Sequence, residues 1–319
     1  MNRFAPIIVV SVLLFVVLSV RNISGQGVER EASVSQSNLS SGQAAQTTDS
    51  SLGTQETSGS STIPFPSIFK KYSRATVPAV PAEIFGIWDL ESGERYIEKG
   101  VVRRWPMASL TKLMTAVVTL THVPKDALLQ INDQSFPPND ISLAPLPHGI
   151  YSASSLMRAM LIGSRNEAAE TFAQSYGYDA FIAAMNAQAV TWGMHRTYFE
   201  EPTGLSAVNQ STAEEIRVMA QHIYTEFPEI FSITRIPTFT LQPENQTSTE
   251  IKSTNLFAGQ ADFLGGKTGY IDESQGNLLS IFRYEGRPLL LIVLGSDDRF
   301  GATATLFSWF SENYSRYRN

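Results

Sequence analysis

The sequence predicts an α+β fold, an antiparallel sheet flanked by helices, with a helical lobe inserted between its strands. Three observations lead there. Short apolar runs bounded by turn residues occur near residues 82–97 and again near 276–294. Between them lie four stretches with apolar residues at helical spacing. Residues 303–314 add a last helical stretch. Strands at the two ends of a helical middle imply one sheet built from distant parts of the chain.

Two segments of another kind come first. Residues 4–20 are a run of 17 mostly apolar residues between Arg3 and Arg21. That is close to the roughly 20 residues with which a helix crosses a bilayer. A cleaved signal would want a small-x-small site after the apolar core, and Val20-Arg21-Asn22-Ile23-Ser24-Gly25 offers a poor one. Residues 1–23 therefore read as an N-terminal membrane anchor in preference to a cleaved signal. Either reading puts the rest of the chain outside the cytoplasm. Residues 24–75 read as a linker. Within 24–62 there are 11 Ser, 5 Thr, 5 Gln and 5 Gly, and no aromatic stands between Phe15 and Phe65. Such a stretch buries too little apolar surface to offset its ordering entropy. Residues 63–75, with Pro64, Pro66 and Lys70-Lys71, form the approach to a folded domain expected over 76–319.

Within that domain, residues 82–89 read as a strand, Glu91-Ser92-Gly93-Glu94 as a turn and Arg95-Tyr96-Ile97 as the return strand. Residues 109–121 carry Leu110, Leu113, Met114, Val117, Val118 and Leu120 at helical spacing. Residues 154–173, 178–190 and 212–224 are three further helices. Ser211 or Thr212, followed by Glu214 and Glu215, suits the capped start of the last of these. Residues 276–284 and 288–294 form a second hairpin about Glu285-Gly286-Arg287.

Composition removes several kinds of function. With 24 Lys+Arg against 30 Asp+Glu the net charge is −6, which argues against nucleic acid as a partner. No cysteine is present, so there is no disulfide, thiolate metal site, iron–sulfur cluster or cysteine nucleophile. His122, His148, His195 and His222 never fall at metal-ligand spacing. Neither a metal nor another cofactor is expected.

Three short motifs carry the chemistry. In Ser109-Leu110-Thr111-Lys112 the i,i+3 spacing puts the amine on the same helix face as the hydroxyl. Serine becomes a nucleophile when a base takes its proton, and a desolvated amine is such a base. The bland reading of Ser109 is an N-cap. With 35 Ser and 7 Lys, chance supplies such a tetrad readily; Ser67-Ile68-Phe69-Lys70 is a second copy, judged accidental because no apolar helix follows it. The second motif, Ser164-Arg165-Asn166, says little alone, since Ser253-Thr254-Asn255 and Ser311-Glu312-Asn313 also match its pattern. The third, Lys267-Thr268-Gly269, occurs once, after Gly265-Gly266 and at the entry to an edge strand. A Lys beside a hydroxyl there suits a terminal carboxylate, and the glycines let a substrate backbone pair with the edge. Alone, it reads equally well as a turn.

Order and spacing bring the three together. Ser-x-x-Lys, Ser-x-Asn and Lys-Thr-Gly, here 55 and 103 residues apart, form the motif set of penicillin-binding proteins and class A β-lactamases. The chain resembles the low-molecular-mass penicillin-binding proteins, the S11 family of serine D-alanyl-D-alanine carboxypeptidases, over about residues 76–315. The match includes residues 106–116, Met185-Asn186, Gly193-Met194, Pro202-Thr203-Gly204-Leu205, Ser211-Thr212-Ala213 and Asn255-Leu256-Phe257. The resemblance implies a β-lactamase/transpeptidase-like fold. It implies peptidoglycan stem peptides as substrate and β-lactam antibiotics as inhibitors. It makes Ser109 the nucleophile and Lys112 its base, with a pKa lowered by burial, by the helix N-terminus and by Lys267. Ser164 would relay a proton to the leaving amine, and Asn166 would hold Lys112 and a substrate amide. Lys267 and Thr268 would hold the terminal carboxylate, supported by Arg299, and the N–H groups of Ser109 and Tyr270, which follows Gly269, would hold the oxyanion. Two departures matter. Arg165 stands where the family usually has Gly, and Glu201 precedes Pro202 where the family commonly has Asn. A Glu-Pro at a similar interval serves deacylation in class A β-lactamases, which keeps a β-lactamase as an alternative. Endopeptidase action on crosslinks is another. A wall-binding protein without activity is disfavoured, because all six motif side chains are present.

Overall fold

Five antiparallel strands make the central sheet of the computed structural model, which describes residues 67–137, 145–244 and 247–317. In chain order they are β1 (Ile84–Asp89), β2 (Arg95–Lys99), β3 (Phe263–Ile271), β4 (Gln275–Tyr284) and β5 (Arg287–Ser296). Their order across the sheet is β3-β4-β5-β1-β2. The join between the two ends of the chain is β5 with β1, in register from Leu289 opposite Asp89 to Leu294 opposite Ile84. Arg287 fastens this seam: its Nε and Nη2 reach the two oxygens of the buried Asp89 at 2.8 and 2.6 Å. A two-point charge-assisted pair of this kind fixes position as well as energy.

The sheet is covered on both faces, which is why β1 is buried at every residue. Ile84 and Trp88 look toward the helical lobe, while Phe85 and Ile87 join the cluster of Leu306, Trp309 and Phe310. The latter three belong to α7 (Arg299–Asn313), which covers the outer face. Gly86 is required here, since a Cβ would lie 2.2 Å from the Trp88 ring.

The lobe between β2 and β3 holds α1 (Lys112–His122), α2 (Ala153–Ile162), α3 (Asn166–Tyr176), α4 (Tyr178–Thr191), α5 (Ala213–Glu226) and α6 (Pro228–Thr234). Thr212 caps α5 by accepting from the Glu215 N–H, as its sequence suggests. The lobe shares one core with the inner face of the sheet, from Leu110 and Met114 through Phe172 and Met219 to Leu279 and Ile292.

Three expectations change. The helix expected over 154–173 is two helices, interrupted at Gly163-Ser164-Arg165. The last helix starts at Arg299 and not at residue 303, because the Asp298 side chain caps it from the Gly301 N–H. The boundary of the linker at residue 75 is too late. Phe69–Lys71 is a strand paired with Tyr314–Arg316, and Phe69 is buried against Tyr96, Tyr284 and Phe310. The expected anchor over 1–23 and the Ser-rich tract over 24–62 lie outside the described residues. Among the described residues no helix is long and apolar enough to cross a membrane.

Candidate active site

Ser109 sits in a short 3₁₀ turn, Ala108–Thr111, that runs straight into α1 at Lys112. The spacing of three brings Lys112 Nζ to 2.9 Å from Ser109 Oγ. No side-chain cap forms at this helix start, so the N-cap reading of Ser109 does not hold. Lys112 is fully buried and donates to two further acceptors, Asn166 Oδ1 at 2.7 Å and the Thr203 carbonyl at 2.6 Å. The two further acceptors point the amine at the hydroxyl.

The Thr203 carbonyl is in place because Glu201 folds the loop around it. The Glu201 carboxylate accepts from the N–H groups of Thr203 and Gly204, both at 2.6 Å, from Thr203 Oγ1 at 2.5 Å and from Asn209 Nδ2 at 2.9 Å. Gly204 then passes directly behind Ala108 with φ +86, and a Cβ on it would lie 1.9 Å from the Ala108 carbonyl oxygen. No other residue fits that crossing.

The interruption between α2 and α3 supplies the second wall. Ser164 takes a left-handed backbone, φ 57, which is uncommon without a glycine and is held here by its surroundings. The turn aims Ser164 and Asn166 at different lysines: Asn166 at Lys112, and Ser164 Oγ at Lys267 Nζ, 2.8 Å away.

The third wall is β3, the edge strand of the sheet, with Lys267, Thr268 and Gly269 inside it. A Cβ on Gly269 would lie 2.9 Å from the Met107 carbonyl oxygen and 3.1 Å from the Ser109 nitrogen. The strand therefore passes against the backbone of Ser109. Thr268 Oγ1 pairs with Thr254 Oγ1 at 2.6 Å, and Arg299 Nη1 donates to the Gly269 carbonyl at 3.0 Å. Tyr270 follows with its ring half exposed and its hydroxyl on Asp272.

Burial first, then the charges of Lys112 and Arg299, pushes the Lys267 ammonium well below the usual lysine range. Burial likewise lowers Arg299. Three basic side chains, Lys112, Lys267 and Arg299, surround one cleft and make it suited to a carboxylate. Among the described residues no group of three His, Asp or Glu could hold a metal ion.

All nine residues singled out in the sequence fall in or beside this cleft. Three others escaped. Thr203 was noted only as part of a resemblance, and its carbonyl role leaves no mark on its side chain. Thr254 enters the sequence only as the middle of Ser253-Thr254-Asn255, a second match to the unspecific Ser-x-Asn pattern. Glu170, one helical turn after Asn166, is a buried carboxylate that an amphipathic pattern alone would place on the solvent face.

A Ser-Lys pair beneath the edge strand of such a sheet defines the penicillin-binding class of serine acyl-transfer enzymes, and solved structures agree. The D-alanyl-D-alanine carboxypeptidase from Mycobacterium tuberculosis superposes with TM-score 0.68 at 25% identity, covering 75% of this chain and 94% of that one. Penicillin-binding protein D2 from Listeria monocytogenes, in its cefotaxime-bound form, gives 0.66 at 27%, covering 73% and 98%. The family profile described as Peptidase_S11, D-alanyl-D-alanine carboxypeptidase, matches residues 71–298. The chain belongs to that family. A D-alanyl-D-alanine endopeptidase of Escherichia coli is 31% identical over 270 residues, 77% of this chain and 84% of its own length. A D-alanyl-D-alanine carboxypeptidase of Mycobacterium tuberculosis is 26% identical over 245 residues, 73% and 83% respectively.

Proposed function

We propose that Ser109 is acylated by the D-Ala-D-Ala end of a peptidoglycan stem peptide and that Lys112 is the base. The observation that carries this is the buried amine 2.9 Å from the Ser109 hydroxyl. Lys112 Nζ takes the hydroxyl proton as Ser109 Oγ bonds to the carbonyl carbon between the two D-alanines. The oxyanion lies between the N–H groups of Ser109 and Tyr270, a position supported by the close passage of Gly269 over Ser109. The carbon–nitrogen bond then breaks, and the proton passes through Ser164 to the departing amine. Ser164 suits this because Lys267 already holds its oxygen. Lys267, Thr268 and Arg299 hold the terminal carboxylate. Water next attacks the ester, Lys112 takes its proton, and Ser109 is restored. A β-lactam follows the same path, but its amine stays tethered to the acyl group and obstructs water.

A second reading, cleavage of crosslinks with the longer amine as leaving group, is favoured by the relatives. Endopeptidases of Escherichia coli and Pseudomonas aeruginosa are 31% and 34% identical, whereas the carboxypeptidases matched are at 24–28%. A β-lactamase is disfavoured, since the Glu201 carboxylate is occupied by loop donors and is not directed at an acyl-serine. The apolar segment 4–20 would hold the enzyme at the outer face of the cytoplasmic membrane.

The test uses the full chain with a fluorescent penicillin, a D-Ala-D-Ala peptide and a crosslinked dimer peptide. A penicillin mass on Ser109 with released D-alanine is expected. Absence of a serine adduct overturns the proposal, and dimer cleavage without D-alanine release selects the second reading.

A further inference from the structure

Asn166 and Glu170 are four residues apart on α3, so they share a face, and Asn166 touches Lys112. Glu170 is only 7% exposed, and its carboxylate lies in electrostatic reach of Lys112 from α1 and of Glu201 from the loop before Thr203. Tyr178, at the start of α4, closes the group; Glu170, Glu201, Glu200 and Asp179 all bear on its hydroxyl. The two buried-side carboxylates differ in what they do. Glu201 is taken up by the N–H groups of Thr203 and Gly204, by the Thr203 hydroxyl and by Asn209. Glu170 lies within electrostatic reach of the amine that, in the proposed mechanism, must lose a proton for the reaction to start. A carboxylate taken out of water is costly, and a nearby ammonium is what offsets the cost.

We infer that Glu170 is a positioning residue that sets the protonation of Lys112, its carboxylate, once ionised, being the counter-charge that favours the ammonium form. This rests on the proposal that Lys112 is the base for Ser109. The two groups titrate as a pair. When Glu170 is charged it stabilises the Lys112 ammonium and withholds the base; when Glu170 is neutral that restraint is gone. Burial, reinforced by Glu201 and opposed by Lys112, raises the Glu170 carboxyl to about 7, so its charge changes within the working range of such an enzyme. Lys267 acts on Lys112 from the opposite wall and in the opposite sense, as one cation on another. The base thus stands between a cation that releases its proton and a carboxylate that retains it.

The experiment is the pH profile of penicillin acylation of the full chain, for wild type, Glu170→Gln and Glu170→Met. Both substitutions keep the volume and remove the charge. The acidic limb of both variants is expected at lower pH than that of the wild type, by on the order of one pH unit, as for one partly screened charge. A limb that stays at the wild-type pH in either folded variant overturns the inference, whatever happens to the rate. A uniform fall at every pH is the signature of a merely structural role and also overturns it. Should the wild type itself form no serine adduct at any pH, the acyl-serine proposal fails instead.

Discussion

Lys112 Nζ donates to Ser109, to Asn166 and to the Thr203 carbonyl, and in the proposed mechanism it is the bond to Ser109 that leads to chemistry. The other two, to Asn166 and the Thr203 carbonyl, remove its freedom to point elsewhere. Lys112→Arg preserves a cation in this pocket but supplies a guanidinium that does not deprotonate in proteins. Acylation by a fluorescent penicillin should fall by at least about 10²–10⁴, the usual loss on removing a general base, and by more where base and nucleophile act as a unit. Ser109→Ala should form no adduct. Ser67→Ala should acylate at the wild-type rate, since Ser67 lies on the other Ser-x-x-Lys copy and donates to the carbonyl of Phe69, the first residue of the peripheral strand Phe69–Lys71. An unchanged rate in Lys112→Arg would remove Lys112 from the mechanism. At this scale the sequence was most informative. A hydroxyl and an amine three apart on a helix are close by geometry alone, with no need of the tertiary fold. The Thr203 carbonyl was hidden because backbone groups carry no residue signature.

The site is assembled from elements that individually look unremarkable. The interruption between α2 and α3 and the loop 200–206 are where the fold departs most from its sequence pattern. Apolar residues at helical spacing continue on both sides of Gly163, so the period runs through the break, and the left-handed turn at Ser164 exists only because the two flanking helices pack as they do. The loop 200–206 is equally unreadable, although its Gly204 is decisive. Gly204→Ala places a methyl in contact with the Ala108 carbonyl at φ +86, so the turn bearing Ser109 must move. A displacement of about 1 Å at a nucleophile can cost roughly 10²-fold. Acylation should fall by that order and the melting temperature should drop; normal acylation would show that the turn tolerates the shift. Glu201→Gln acts on the same loop more gently. It removes the charge from a carboxylate that accepts from several donors, worth about 1.5–3 kcal/mol in stability. The variant should acylate more slowly, while the lifetime of its penicillin adduct stays near that of the wild type. Rapid turnover of a chromogenic cephalosporin by the wild type, abolished by this change, would instead mark Glu201 as a deacylating base.

Across the whole molecule, joining the two ends of the chain through β1 and β5 gives a rigid sheet, and the helical lobe closes over its edge strand. The α+β class was legible because short apolar runs at both ends flank a helical middle and have to be buried together. The register of β5 on β1 was not, since it depends on the Arg287–Asp89 pair between residues 198 apart. The price of the cleft so formed is charge left inside it, and this predicts how stability varies with pH. The Glu170 carboxyl rises from an ordinary 4.5 to about 7, because burial and then Glu201 disfavour its ionised form. Below pH 4.5 folded and unfolded chains both keep that proton, and no stability is lost. As the pH rises toward 7 the unfolded chain releases the proton and the folded chain resists, so stability falls; above about 7 the loss is complete. The shift corresponds to up to about 3 kcal/mol. Lys267 contributes with the opposite slope at higher pH, because its folded form binds its proton less tightly than the unfolded one. A single melting curve therefore mixes the two, and the difference between Glu170→Gln and wild type separates them. That difference should be small near pH 4.5 and should grow to a gain of roughly 5–10 °C in melting temperature by pH 8, given about 2–4 °C per kcal/mol for a domain of this size. A difference that stays flat from pH 4.5 to 8 would mean that Glu170 ionises in the folded protein as freely as in water. Burial would then not govern the carboxylate within electrostatic reach of Lys112.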